Sequence, residues 1–407
     1  MSQKYPGGII SKTAPVTVGP VDGEGGSAPG VWTLTQALEL NKQNLWPKPV
    51  LPKELYAWGA NGEGELGLND TNNRSSPVQV GALTDWSNLA SGGANGFSLG
   101  TKADGTLWAW GYNSSGQLGL NNTANRSSPV QVGALTAWSK VAAGGKHCLA
   151  VKTDGTLWAW GYNGYGQLGT NNIVNRSSPV QIGALTAWYE VAATLSASIA
   201  IKTDGTLWAW GRAGSGELGL NDTVRRSSPV QVGSLTNWAH VSGGQHQFLA
   251  RKTDGTIWGW GDNYKGRLGL NDTVYRSSPV QIGSLTEWSQ VSAGYQHSLA
   301  VKTNGTLWVW GNSGNGRLGL GVYATDKSSP VQVGALTTWN IVSGQNSTSF
   351  AIKTDGTLWV WGLGNTGQTG LGNTVQRFSP IQIGSQTNWL KLPKAGLVQF
   401  SLVTKSP

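Results

Sequence analysis

The sequence predicts an all-β protein: a seven-bladed β-propeller of four-stranded blades, closed by pairing of its N- and C-terminal strands and preceded by an extended arm with one short helix. Three observations predict it. A unit typified by KTDGTLWAWGYNGYGQLG, Lys152 to Gly169, recurs at intervals of 50 to 52 residues. The 407 residues include 60 glycines and 22 tryptophans but are only 12% charged, which suits tight turns and large buried aromatics rather than a disordered chain. The two ends of the repeat region are complementary halves of one unit.

The period comes first. Trp58, Trp110, Trp160, Trp210, Trp260, Trp310 and Trp361 close the apolar strand of successive copies. Each is followed by a GxGxLG-like loop, then SPVQVG or a close variant, then a Trp at 86, 138, 188, 238, 288, 339 and 389. Small sheets repeating at this period must stack on one another to hide their faces.

Four strands fit the unit. Residues 139–142 (SKVA) and 147–152 (HCLAVK) are the first two, and the Asp-Gly turn then leads into 156–160 (TLWAW). Asp-Gly between apolar runs signals a hairpin because Gly tolerates positive φ. The fourth is 179–182 (PVQI), where Pro fits only a strand start or an edge. Leu157 and Ala159 alternate with Trp158 and Trp160, so both faces are apolar, as a strand buried between neighbouring blades requires. The loop glycines allow a tight fold beside the next blade.

The ends complete the argument. The first copy starts at ELYAWG, Glu54–Gly59, without its hairpin partner, and the chain finishes on FSLVTK, Phe400–Lys405, which is that partner. Pairing them closes the ring and removes two exposed sheet edges.

The net charge of +9 invites an anionic partner, but fourteen basic residues recur at repeat positions. Arg74, Arg126, Arg176, Arg226, Arg276, Lys327 and Arg377 precede the SSP or FSP motifs. Lys102, Lys152, Lys202, Lys252, Lys302, Lys353 and Lys405 end the second strand. A structural role follows, with edge carbonyls and neighbouring Asp side chains as expected partners; nucleic acid is not an expected partner. Cys148 is the only cysteine, so the chain has no internal disulfide and no cysteine metal cluster, and a small buried residue is expected there. No apolar segment is long enough to span a membrane.

The unit VAAGGKHCLAVKTDGTLWAWGYNGYGQLG resembles the repeat of the regulator-of-chromosome-condensation family, over roughly residues 54–407. The resemblance implies a seven-bladed propeller. It does not imply one function, since that family includes nucleotide-exchange factors, photoreceptors, β-lactamase inhibitors and ligase subunits. The tryptophan motif GWRHT of the photoreceptor members is missing here, and blade lengths are too uniform for the inserted wedge of the exchange factors.

No enzyme is expected, and no cofactor or metal. Of the four histidines, His147, His240, His246 and His297, the first and last occupy one repeat position in separate copies and mark strand starts, so a metal pair is not expected. The GxGxxG match at Gly62–Gly67 precedes no helix and is a repeat loop, so no nucleotide fingerprint is read from it. Too few carboxylates converge at Asn221–Thr223 for a calcium loop.

Binding residues are expected where the copies differ. After Trp-Gly they read ANGEG, YNSSG, YNGYG, RAGSG, DNYKG, NSGNG and LGNTG. This gathers Tyr112, Tyr162, Tyr165, Arg212, Tyr264, Lys265 and Arg267 on one rim, and tyrosine and arginine suit protein contacts and sugar faces.

Residues 1–53 differ in texture and are expected to form a separate arm. Gly, Pro and Ser dominate the first thirty, which reads as extended chain. Thr33 and Gln36 then form a capping-box pattern that opens a helix over about 33–46, ended by Pro47. A helix of this length is marginal alone in water, so it must dock on its own propeller or on a partner through Trp32, Leu34, Leu38, Leu45 and Trp46. The stretch GSAPGVWTLTQALELNKQNLWP resembles a short tag on virion and tail proteins of marine tailed bacteriophages. That resemblance implies a non-enzymatic virion structural protein, a capsid decoration, tail or fibre component. Its expected partners are other virion proteins through residues 1–53 and a host-surface protein or glycan through the rim, with multiple copies per particle. The start MSQKYPGGII lacks the pattern of a secretion signal, which fits assembly in a host cytoplasm and residence in the virion. The alternative expectation is a free bacterial binding module, a protein inhibitor or glycan-recognising propeller.

Overall fold

The computed structural model describes residues 52–407 except Ala94, Tyr323 and Ala395. The expected helix over 33–46 and its anchors Trp32, Leu34, Leu38, Leu45 and Trp46 lie outside the described residues. Lys53–Pro407 form one compact unit.

The described residues fold into seven four-stranded antiparallel sheets. In blade 3 the strands are Trp138–Ala143, His147–Lys152, Leu157–Gly161 and Arg176–Gln181, in that spatial order. The first strands of successive blades lie beside one another and form the inner wall, which leaves the RSSPVQ strand outermost. Blade 1 is the composite one: Glu54–Gly59 pairs with Phe400–Lys405 from Glu54↔Lys405 to Gly59↔Phe400. Trp389–Lys391 and Arg74–Gln79 complete that sheet, so the ring closes through the two ends as the sequence predicts. Blades 2 to 7 follow in chain order.

Both faces of the third strand are packed. Leu157, Ala159 and Trp160 are fully buried, whereas Trp158 is half-buried near the blade edge. The tryptophan just before the closing glycine of each third strand also bolts its blade to the preceding one. Trp160 Nε1 donates to the Gln117 carbonyl at 2.9 Å, Trp210 to Gln167 at 2.8 Å, and Trp58 to Gln368 at 3.1 Å across the closure. All seven blades make this bond. It satisfies an indole N–H that would otherwise be stranded in the core.

The last glycine of the GQLG loop belongs to the same joint. Gly169 sits at φ +72°, and a Cβ there would lie 2.9 Å from Trp210 Nε1. Cys148 occupies a place held by serine in blades 1, 2, 4, 6 and 7, and its thiol donates to the Gln117 carbonyl at 3.1 Å, as Ser198 Oγ donates to Gln167 at 2.7 Å. The buried-residue expectation holds, and the slot proves to be a hydrogen-bonding one.

The repeated basic residues divide into two kinds. Arg74, Arg226 and Arg276 pair with Asp70, Asp222 and Asp272 at 2.5, 2.7 and 2.5 Å, as expected. Six of the seven strand-end lysines instead lay their ammonium groups on indoles, and Lys405 lies on the Tyr56 ring. Lys252 Nζ is 3.8 Å from the Trp258 ring centre and 4.8 Å from that of Trp238, and Lys353 repeats the arrangement on Trp359 and Trp339.

The inner wall is regular until the closure. Beyond Lys391, residues 392–399 leave the repeat pattern. Lys394 N donates to the Leu89 carbonyl at 3.3 Å, and Gly396 N to that of Gly344 at 3.1 Å. Lys394 Nζ reaches Glu190 in blade 4 and donates to the Val191 carbonyl at 2.8 Å. The His240 ring lies 3.4 Å from the same carboxylate. Burial pushes the Glu190 carboxyl up, but Lys394 and His240 outweigh it and hold the group well below the usual carboxylate range.

Candidate functional site

In every blade two connections open on the same face: the turn between the first two strands and the long loop between the last two. The loops are braced from within. In blade 3 the buried Asn163 amide donates to the carbonyls of Asn172 and Val174 at 3.0 and 3.1 Å and accepts from Leu168 N at 2.9 Å. Asn61 and Asn113 act likewise in blades 1 and 2. Each loop also leans on the neighbouring blade, as where Asn171 N donates to the Ser227 carbonyl at 2.7 Å. The residues flanking the asparagine, which vary between copies, are thus displayed on a fixed frame.

The structure distributes the predicted rim residues over three places. Tyr112 and Tyr162 wall one pocket, of about 420 Å³, with Asn95, Ser115, Gly145, Lys146, Leu195 and Ser196. Tyr165 is exposed at its edge, 6.5 Å from the Tyr162 ring. Tyr264 and Lys265 border a second cleft, of about 450 Å³, with Thr273, Tyr275, Asp326 and Ser328. Lys265 Nζ pairs with Asp326 at 3.1 Å. Between the two, Arg212 pairs with the buried Glu217, and the His246 ring lies 3.4 Å from that carboxylate.

Arg267 corrects the rim expectation. It is 1% exposed and lies under the surface rather than on it. Its Nε donates to the Tyr264 carbonyl at 3.1 Å, its Nη1 to Gln245 Oε1 at 3.2 Å, and its Nη2 lies 3.5 Å from Asp262. The position explains this: Gln117, Gln167 and Glu217 fill it in blades 2 to 4 and are equally buried. It packs the loop against the turn, whatever its charge.

Sequence reasoning missed Lys146, Asn95, Leu195 and Ser196 because they lie in short turns that read only as connectors. A signal was present. The residue before the second strand is Gly96, Lys146, Ser196, His246, Gln296, Ser347 and Gln399 in turn, as variable as the loop positions.

Among the described residues, no group of three or more His, Cys, Asp and Glu side chains could hold a metal ion, and no helix is long and apolar enough to cross a membrane. His147 and His297 sit alone in the core, hydrogen-bonded to Ser198 and Ser349.

This is a propeller of seven near-identical blades whose sequence variation gathers on one loop face. It belongs to the RCC1-like family: the RCC1-like domain model matches residues 53–346, and the regulator of chromosome condensation (RCC1) repeat model matches residues 355–392. Among curated relatives, the X-linked retinitis pigmentosa GTPase regulator of Canis lupus familiaris is 42% identical over 81 residues, 19% of this chain and 8% of that protein. The human probable E3 ubiquitin-protein ligase HERC3 is 37% identical over 82 residues, again 19% and 8%. The chain therefore spans under a tenth of those relatives. Among solved structures, human WBSCR16 superposes with a TM-score of 0.77 at 21% identity, covering 87% of this chain and 99% of that one. Yeast RCC1 (Prp20), solved bound to Kap60, gives 0.77 at 20% identity, covering 88% and 89%. Prp20p of Saccharomyces cerevisiae, described with its binding to Gsp1p and histones, gives 0.77 at 20% identity, covering 88% and 92%. At such identities the likeness shows the fold.

Proposed function

We propose that this chain is a non-catalytic protein-interaction module in which the loop face binds a partner protein and residues 1–53 fasten the propeller to a tailed-phage particle. The observation that carries the binding half is the grouping of Tyr112, Tyr162, Tyr165 and Lys146 around one pocket on a frame that otherwise repeats from blade to blade. Tyrosines held on a rigid frame offer large contact area at little entropic cost. The protein complexes described for yeast RCC1 support a protein partner for the same fold. Support for the particle half is the sequence from Gly26 to Pro47, with its tag-like order of Ala-Pro-Gly, Val-Trp-Thr-Leu and Leu-Trp-Pro.

The virion protein is made in the host cytoplasm and carries the propeller outward for contact with neighbouring virion proteins or the host surface. Mass spectrometry of gradient-purified particles tests this. Stoichiometric peptides from the chain in particles, lost when residues 1–53 are deleted from a propeller that still folds, are the expected result. Finding the protein free in the lysate and absent from particles would replace this reading with a free bacterial binding module.

A further inference from the structure

We infer that the pocket spanning blades 2 to 4 takes an Asp or Glu side chain of a partner peptide together with the apolar residue beside it. This rests on the loop face being a protein-binding surface and says which part of it binds and what chemistry it reads.

Lys146 differs in its pairing from the cations expected on the rim. Arg212 is neutralised by Glu217, Lys265 by Asp326, and Arg267 faces Asp262. Lys146 is exposed, has no carboxylate within ion-pair distance among the described residues, and stands 5.8 Å from the centre of the Tyr112 ring at the pocket's edge. An unpaired ammonium over aromatic walls favours an anion whose attached carbon chain can lie on the rings. A single lysine with no arginine beside it matches the one charge of a carboxylate. A phosphate dianion calls for forked or multiple donors.

The walls choose the rest of the ligand. The lining, with Tyr112, Tyr162 and Leu195 as its large side chains, is more apolar than polar, and no carboxylate is part of it. A neutral sugar ring could stack on the tyrosines but would bring no charge to the Lys146 ammonium, which a carboxylate does. An aliphatic or aromatic side chain next to the acid can lie on the same rings. The volume, about 420 Å³, holds two side chains and not a folded segment.

The pocket is also held in shape before anything binds. Tyr162 N donates to the Lys146 carbonyl at 2.8 Å, Tyr112 N to Gly96 at 3.0 Å, and Gly145 N to Leu195 at 3.2 Å, which ties the turns of blades 3 and 4 together. The Tyr162 ring folds back over Gly164, where a Cβ would stand 2.2 Å from its hydroxyl; blade 2 has Ser114 at that place. A pre-shaped pocket spares the ligand the cost of ordering it.

The test is an array of acetylated hexapeptides, scanned position by position, probed with the full-length protein and with Lys146→Glu, Tyr162→Ala and Lys265→Glu. The expected result is enrichment of Asp or Glu next to Leu, Phe or Tyr. Affinity for the best peptide should fall about tenfold or more in Lys146→Glu and also fall in Tyr162→Ala, while Lys265→Glu binds as the wild type does. Binding that survives Lys146→Glu overturns the inference. If that same binding is lost in Lys265→Glu, the loop face remains a protein-binding surface with its site at blades 5 and 6. No peptide selected by the wild type, with a glycan array bound instead, overturns both.

Discussion

His147 and His297 open the second strands of blades 3 and 6 with their rings wholly buried, and acid should destabilise the propeller through them. The tautomer follows from the hydrogen bonds. Ser198 Oγ gives its proton to the Gln167 carbonyl at 2.7 Å, so at 3.0 Å it can only accept from His147 Nε2–H. Ser349 does the same between Arg317 and His297, at 2.8 and 2.8 Å. A second proton must therefore enter at Nδ1, which in both rings is buried without a partner and faces the backbone of Gly144 or Gly294. Burial pulls His147 down from 6.5 to about 3, and burial with the nearby Arg317 holds His297 well below its ordinary value.

The unfolded chain thus takes up a proton on His147 near pH 6.5, while the folded chain does not until about pH 3. Stability present above pH 6.5 is lost as pH falls through that window, at about 1.4 kcal/mol per pH unit for the one group. The loss from His147 reaches about 3 kcal/mol at pH 4.5 and about 4 kcal/mol at pH 3, and His297 steepens the slope in the same direction. Urea unfolding of the wild type, His147→Gln and His147→Gln/His297→Gln between pH 7.5 and 4.5 measures it. Gln is the natural choice, because Gln247 fills this place in blade 5, fully buried and donating to the Gly294 carbonyl at 2.9 Å. The double variant should lose distinctly less stability over that range. Parallel pH curves, or a ring-proton NMR titration near pH 6.5 in the folded state, would refute the reasoning.

Three further outcomes follow from the packing. Trp210→Phe removes one of the two donors to the Gln167 carbonyl, Ser198 Oγ remaining, and leaves space beside a smaller ring; it should cost about 1–3 kcal/mol in urea unfolding, with the fold kept. Cys148→Ser should change stability by less than about 1 kcal/mol, since serine fills the same slot elsewhere, and the native thiol, which burial pushes well up, should resist a thiol reagent until the protein unfolds. Removing residues 400–407 strips Phe400, Leu402 and Val403 from the core, each worth about 1.5–3 kcal/mol, and bares two strand edges; calorimetry should show the cooperative transition lost and light scattering should show association.

The face was only partly legible. Tyr112, Tyr162, Tyr264 and Lys265 stood out because loops that vary on a repeating scaffold are where contacts can differ. Lys146 and Leu195 did not, because a three-residue turn carries no periodic signal. Nor did the burial of Arg267, since an arginine in a glycine-rich loop gives no hint of the Gln245 and Asp262 side chains that receive it from elsewhere in the blade.

The sequence by itself determined the architecture: seven units, four strands in each, and closure by Glu54–Gly59 with Phe400–Lys405. These depend on alternation, turn chemistry and period, all of which are local and repeated until unmistakable. Tertiary structure alone decided what the non-repeating side chains do. Lys394 meets Glu190 across the ring, the lysines at the strand ends rest on indoles, and one pocket draws residues from three blades. Such partners lie far apart along the chain, and only the closed ring, which turns a periodic sequence into a circle of neighbours, brings them within reach of one another.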